Sequence, residues 1–228
     1  MKLVRTFALP LMLACATLTS CLKSEYNLSG YVTFVNIVDE THFIEDNGSE
    51  FLITENATDS DYMKIASKRM IINCDLLNLD NPRSVKLNAY KAVDVKTPLL
   101  SKNLPNDYVN SHADSLYVGN WYISSNGDNW YVTVAMSVPK LKDSKAEHEI
   151  DLVYDSASTK DQIDFILCHN ANGDVYTKET KDEDKASEVV YMSFKVKDLI
   201  QDIFTSDTKL TVTSALEKKK AGEDNKKE

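Results

Sequence analysis

"NWYVTVAMSV", residues 129–138, decides the fold. In an extended chain Val132, Val134, Met136 and Val138 share one side, while Tyr131, Thr133, Ala135 and Ser137 share the other. A two-residue period with one apolar side predicts a strand of an antiparallel sheet buried on one face. "SEVVYMSFKV" (187–196) repeats the pattern through Val190, Met192, Phe194 and Val196.

Four more runs flank these two: "SLYVGNWYI" (115–123), "AEHEIDLVY" (146–154), "DQIDFILCHN" (161–170) and "KLTVTSAL" (209–216). Turn signals such as "SSNGDN" (124–129) and "NANGD" (170–174) separate them. Several short strands with regular turns predict a sandwich or a barrel. An earlier set of strand candidates consists of residues 30–44, "SEFLIT" (49–54), 68–79 and 84–95. "DNG" (46–48) supplies a hairpin turn in the first half of that set. Only 60–69 and 195–204 have a helical character, and both are short. Two prolines and polar residues in "TPLLSKNLPND" (97–107) suit a linker between the two sets. The tail 217–228 has no large apolar residue and predicts disorder.

The N-terminus carries an address. Lys2 and Arg5 precede an apolar run, Phe7–Leu18, of 12 residues. Spanning a bilayer takes roughly 20. The segment therefore predicts a cleaved secretion signal. "Leu18-Thr19-Ser20-Cys21" resembles the bacterial lipobox, which implies thioether lipidation of Cys21. Cys15 has bulky Leu13 where a small residue is wanted, so Cys21 is the expected attachment site. An ordinary secretion signal with Cys21 as an incidental thiol is the alternative. Leu22, in place of Asp, follows the cysteine, and by resemblance to Gram-negative sorting rules this favours the outer membrane. Whether the protein faces the periplasm or the outside stays open, because "Leu22-Lys23-Ser24-Glu25" holds only one acidic residue.

Composition narrows the partners. The chain has 26 basic and 35 acidic residues, a net charge of -9; cleavage before Cys21 removes Lys2 and Arg5 and leaves -11. Such a surface repels phosphate backbones, and no basic stripe interleaved with aromatics occurs, so nucleic acid is not an expected partner. Beyond Cys15 and Cys21 only Cys74 and Cys168 remain, 94 residues apart, and free thiols are expected.

No catalytic or metal-binding motif emerges. There is no "GxSxG" elbow and no "HExxH", and Cys168 and His169, adjacent on a strand, point to opposite faces. The Asn-Gly turns lack the spacing of a calcium loop. No cofactor, no metal and no enzymatic activity are expected. Aromatic residues are concentrated in one hairpin: Tyr117, Trp121, Tyr122, Trp130 and Tyr131. Aromatic faces with polar edges suit a glycan platform or a protein hot spot; packing within the sandwich is the competing reading. "Asp114-Ser115-Leu116" and "Asp155-Ser156-Ala157" resemble short O-glycosylation patterns, which leaves Ser115 and Ser156 as candidate modification sites.

The lipobox, a small β-domain with "GYVTFVN...DNGSEFLI...KRMIINCDLL" and a longer one with "FILCHNANGDVY" and "VVYMSFKV" together resemble the NigD-like lipoproteins of the Bacteroidetes. The most telling pieces are Asp46-Asn47-Gly48, the strand around Ile71 and Ile72, and His169 to Asp174. The resemblance implies an all-β protein, a small N-terminal OB-like barrel followed by an antiparallel β-sandwich. With the signal, linker and tail read from the residues, the chain divides into a signal peptide at 1–20, a tether at 21–28, the barrel at 29–97, a linker at 98–108, the sandwich at 109–216 and the tail at 217–228. The resemblance also implies an accessory or binding role, bacteriocin immunity or envelope-complex organisation, for a protein held to the membrane by its lipid and facing an unidentified envelope protein or glycan.

Overall fold

The computed structural model describes residues 28–224; the expected signal peptide, Cys21, the expected tether up to residue 27 and the last four residues lie outside them, and Leu28, the last residue of the expected tether, already begins the first strand. Five strands, β1 (Leu28–Ile37), β2 (His42–Glu45), β3 (Glu50–Asn56), β4 (Arg69–Leu76) and β5 (Arg83–Ala92), close into a barrel in the order β1-β2-β3-β5-β4. β3 and β5 run parallel and every other pairing is antiparallel. This is the five-stranded Greek-key barrel of the OB type. The run 30–44 makes two strands because the Asp39 carboxylate accepts the amides of Thr41 and His42 at 2.8 and 2.9 Å and turns the chain. The run 60–69 forms only a 3-10 turn over Ser60–Lys64, which lays Tyr62 edge-on against Phe43 at 5.4 Å across the barrel core. Gly48, at φ 88°, closes the hairpin at Asp46-Asn47-Gly48.

The chain enters the second unit directly after the barrel. β6 (Asp94–Lys96), β7 (Leu99–Leu100), α1 (Tyr108–Ser111), β8 (Tyr117–Asn126), β9 (Asn129–Leu141), β10 (Glu149–Tyr154), β11 (Gln162–Asn170), β12 (Lys185–Lys195), α2 (Lys197–Ile200), β13 (Lys209–Ser214) and α3 (Ala215–Asp224) follow in order. They build two four-stranded sheets, β6-β12-β9-β8 and β13-β11-β10-β7. Val132, Val134, Met136, Val138, Met192 and Phe194 of the first sheet pack on Ile150, Leu152, Ile163, Phe165 and Leu167 of the second. Each such side chain contributes on the order of 1.5–3 kcal/mol by leaving water.

Three details depart from the sequence expectations. The stretch 98–108 is part of the sandwich: Leu99, Leu104 and Tyr108 pack against a buried cluster of Val153, Ile166, Cys168 and Ala215. The sheets are mixed, because the short β6 and β7 and the longer β13 pair in parallel with β12, β10 and β11. Residues 215–224 form α3 where the end of a strand (to 216) and a disordered tail (from 217) are expected. Its start is a capping box: the Ser214 amide donates to Glu217 Oε2 and the Glu217 amide donates to Ser214 Oγ, each at 3.2 Å.

Candidate functional site

Barrel and sandwich meet around one arginine. Arg69, the first residue of β4, follows Lys68 at φ 53° and projects from the barrel, opposite in direction to the buried Met70 and Ile72. The outer face of the β9–β12 pair offers it Thr133 and Ser193, side chains small enough to admit a guanidinium. Arg69 donates from Nη1 and Nη2 to the two Asp46 oxygens at 2.7 Å each, from Nε to Ser193 Oγ at 2.7 Å, and from Nη2 to Thr133 Oγ1 at 3.0 Å. A longer bond of 3.4 Å from Nη1 to Asn36 Oδ1 occupies its fifth donor. The guanidinium lies 4.2 Å from the centre of the Tyr131 ring. The Tyr122 hydroxyl donates to Asp46 Oδ2 at 2.7 Å, and burial followed by that carboxylate pushes the phenol up from its ordinary value. A completely buried charge with every donor used is what such a position demands, since an unpaired one costs several kcal/mol.

A second polar cluster lies in the sandwich. His169, on β11, is buried; its Nε2 is 2.9 Å from His148 Nδ1, and His148 Nε2 is 2.9 Å from Asp174 Oδ2. The two rings stack with centroids 5.1 Å apart. The turn at Asn172 and Gly173, with φ of 50° and 87°, brings Asp174 back onto His148, where its other oxygen accepts the Leu141 amide at 2.6 Å. Burial, then the neighbouring His148, hold His169 below the ordinary histidine value of 6.5 against the backbone of Asp114. Burial alone would raise the Asp174 carboxyl, but hydrogen bonds from His148, the Leu141 amide and Ser144 outweigh it and hold it low. Both ring nitrogens of His148 are thus committed inside the fold.

Residues 93–223 match the family model of the NigD-like C-terminal beta sandwich domain. The chain belongs to the NigD-like family. Solved structures share its fold at low identity. A protein of unknown function from Bacteroides vulgatus is 16% identical, with a TM-score of 0.55 over 81% of this chain and 82% of that one. A NigD-like immunity protein from Bacteroides caccae is 14% identical, with a TM-score of 0.52 over 82% and 86%. A candidate lipoprotein from Bacteroides fragilis is 11% identical, with a TM-score of 0.51 over 80% and 86%. No curated protein matches the sequence.

In this NigD-like chain the five aromatic residues of the β8–β9 hairpin do not form one surface. Trp121 and Trp130 pack against the sandwich core, where Trp130 meets Phe204 edge-on at 6.0 Å. Tyr122 and Tyr131 point the other way, into the barrel seam. Tyr117 is left exposed on the outer face, with Ser137 beside it on β9. Cys21 lies outside the described residues. Cys74 and Cys168 are free and buried, in the barrel core and the sandwich respectively, and burial pushes each thiol up to about 12. Arg69 does not stand out in the sequence, and Asp46 stands out there only as a turn residue. The one signal is a full positive charge at the head of the apolar run "MII" (70–72). His148 and Asp174 carry no local signal, because their proximity comes from the topology alone.

Proposed function

We propose that this NigD-like chain is a non-catalytic, lipid-anchored protein of the outer membrane that acts by binding a partner, with bacteriocin immunity as its role. Cys21 supplies the anchor; three acyl chains on it exceed the two signals that stable attachment needs. Membership of the NigD-like family, and the likeness in fold to an immunity protein and to a candidate lipoprotein, support this reading. The observation that carries the non-catalytic part is the saturation of His148. A histidine paired with an aspartate is the usual way to orient a general base, but the base then needs its second nitrogen free for the nucleophile. His148 gives that nitrogen to His169 at 2.9 Å.

Two measurements test the proposal. Deleting the gene is expected to sensitise cells to bacteriocins in supernatants of competing strains, with resistance restored by the wild-type chain and not by Cys21→Ala. The purified full chain is expected to release no reducing ends from envelope polysaccharide or peptidoglycan. Unchanged sensitivity on deletion, or a release abolished by His148→Ala, would overturn it.

A further inference from the structure

One flank of the sandwich is unfinished. β12 pairs with β9 along its whole length, but on its other side β6 covers only Met192–Phe194. Among the described residues Lys185–Val190 has no strand partner there, although the Tyr176 hydroxyl donates to the Ala186 carbonyl. The bonds Val196 N–H to Trp130 O and Lys142 N–H to Asp184 O bracket an unbroken register, which turns the even-numbered residues of β12 toward β9. The amides of Ser187, Val189 and Tyr191 and the carbonyls of Ser187 and Val189 therefore point outward without a strand partner, as a ready edge for another strand, while the Tyr191 carbonyl already serves β6. Ser187, Glu188 and Val189 are all exposed.

Beneath this edge, between the two sheets, lies a cavity of about 360 Å³. Its floor is the apolar Val138, Ile150, Val190 and Met192. Its rim carries two positive and two negative side chains, Lys96, Lys140, Asp94 and Glu188, which cancel, with the polar Ser144 and His148 beside them. Lys140 pairs with Glu188 at 2.7 Å, and Lys96 caps the Ile150 carbonyl of the opposite edge at 2.7 Å. The cavity therefore suits an uncharged apolar side chain, and the edge above it suits an extended backbone. The chain itself shows that this edge accepts a parallel strand, since β6 already occupies its far end.

We infer that the β12 edge takes an extended segment of a partner polypeptide, added as a strand in line with β6, with every second side chain uncharged and apolar and one of these seated in the cavity. This is strand addition, in which main-chain bonds give affinity and alternate side chains give specificity. The inference rests on the reading of the chain as a binding protein and adds where and what it binds.

The test uses the full chain in detergent and a fluorescent ten-residue peptide of alternating threonine and isoleucine with lysine ends, beside a scrambled peptide of the same composition. The alternating peptide is expected to bind and to slow amide exchange at Ser187, Val189 and Tyr191. Val189→Pro removes an outward amide that β9 does not use, and proline is tolerated on such an edge. It is expected to weaken binding at least tenfold while the melting temperature stays near wild type. Ala146→Trp, from the loop lining the cavity, is expected to do the same without touching a strand, and it decides the matter if the proline variant unfolds. Absent binding, equal binding by both variants, or protection elsewhere overturns the inference. Peptide-free dimers protected at these three amides overturn it in favour of a second copy of the chain. Absent binding with bacteriocin protection intact would count against this inference alone; lost protection with binding intact would count against the proposed immunity role alone.

Discussion

The guanidinium of Arg69 holds the carboxylate of Asp46 by two parallel bonds of 2.7 Å, and the same side chain reaches across to Ser193 and Thr133 of the other unit. Asp46 belongs to the hairpin turn of the barrel. A side chain placed on its neighbour Gly48 would come within 3.5 Å of Asn126, at the tip of the β8–β9 hairpin. The pair thus sits at the seam of two units with separate cores, tied across it by the bonds of Arg69 to Ser193 and Thr133 and of Tyr122 to Asp46.

Removing one partner of a buried pair leaves a charge uncompensated and costs about 3–5 kcal/mol. Arg69→Ala is expected to lose that much in denaturant unfolding and to split one transition into two, the barrel and the sandwich melting apart. Arg69→Lys should recover little of it, because an ammonium cannot reproduce the planar fork.

The His169–His148–Asp174 chain makes stability depend on pH. His169 is held below 6.5 in the folded protein, so the unfolded chain takes up its proton first as the pH falls. Stability from this group is fully present above 6.5 and is lost as the pH drops from there through the folded value. Asp174, held below 3.8, adds a second loss in the same direction at lower pH. Melting temperatures measured from pH 7.5 to 5 are expected to fall, and His169→Gln should flatten that slope.

Cys74 and Cys168 are expected to resist alkylation. Thiols pushed from 9 to about 12 carry about a thousandfold less thiolate at pH 8. Iodoacetamide should leave both unmodified in the native protein and label both once it is unfolded, with mass spectrometry as the readout.

Helix α3 depends on its first turn. Ser214→Ala removes the capping oxygen and is expected to cost about 1 kcal/mol. The loss should appear as faster amide exchange over residues 217–221, with β9 unaffected.

The alternation of Val132, Val134, Met136 and Val138 made the sandwich legible, because a period of two with one apolar face admits few other structures. The outer side of the same strand was less legible. Tyr131 and Thr133 look like solvent-facing residues in sequence, and they are buried because the barrel covers them. β6 and β7 span three and two residues, too few for any periodicity to register, so the sandwich begins earlier in the chain than the prolines suggest. The Ser214–Glu217 box was present in the sequence, and the charged composition after it masked its meaning. Arg69 finds Asp46, Thr133 and Ser193 at separations of 23, 64 and 124 residues, and no local pattern encodes such contacts.

Attachment through Cys21 is the claim on which the envelope role depends, and the intact mass of the chain extracted from membranes tests it most directly. The expected species begins at Cys21 and carries a diacyl thioether and an N-acyl chain. A chain that begins elsewhere, or that carries no lipid and is recovered in the soluble fraction, would contradict it.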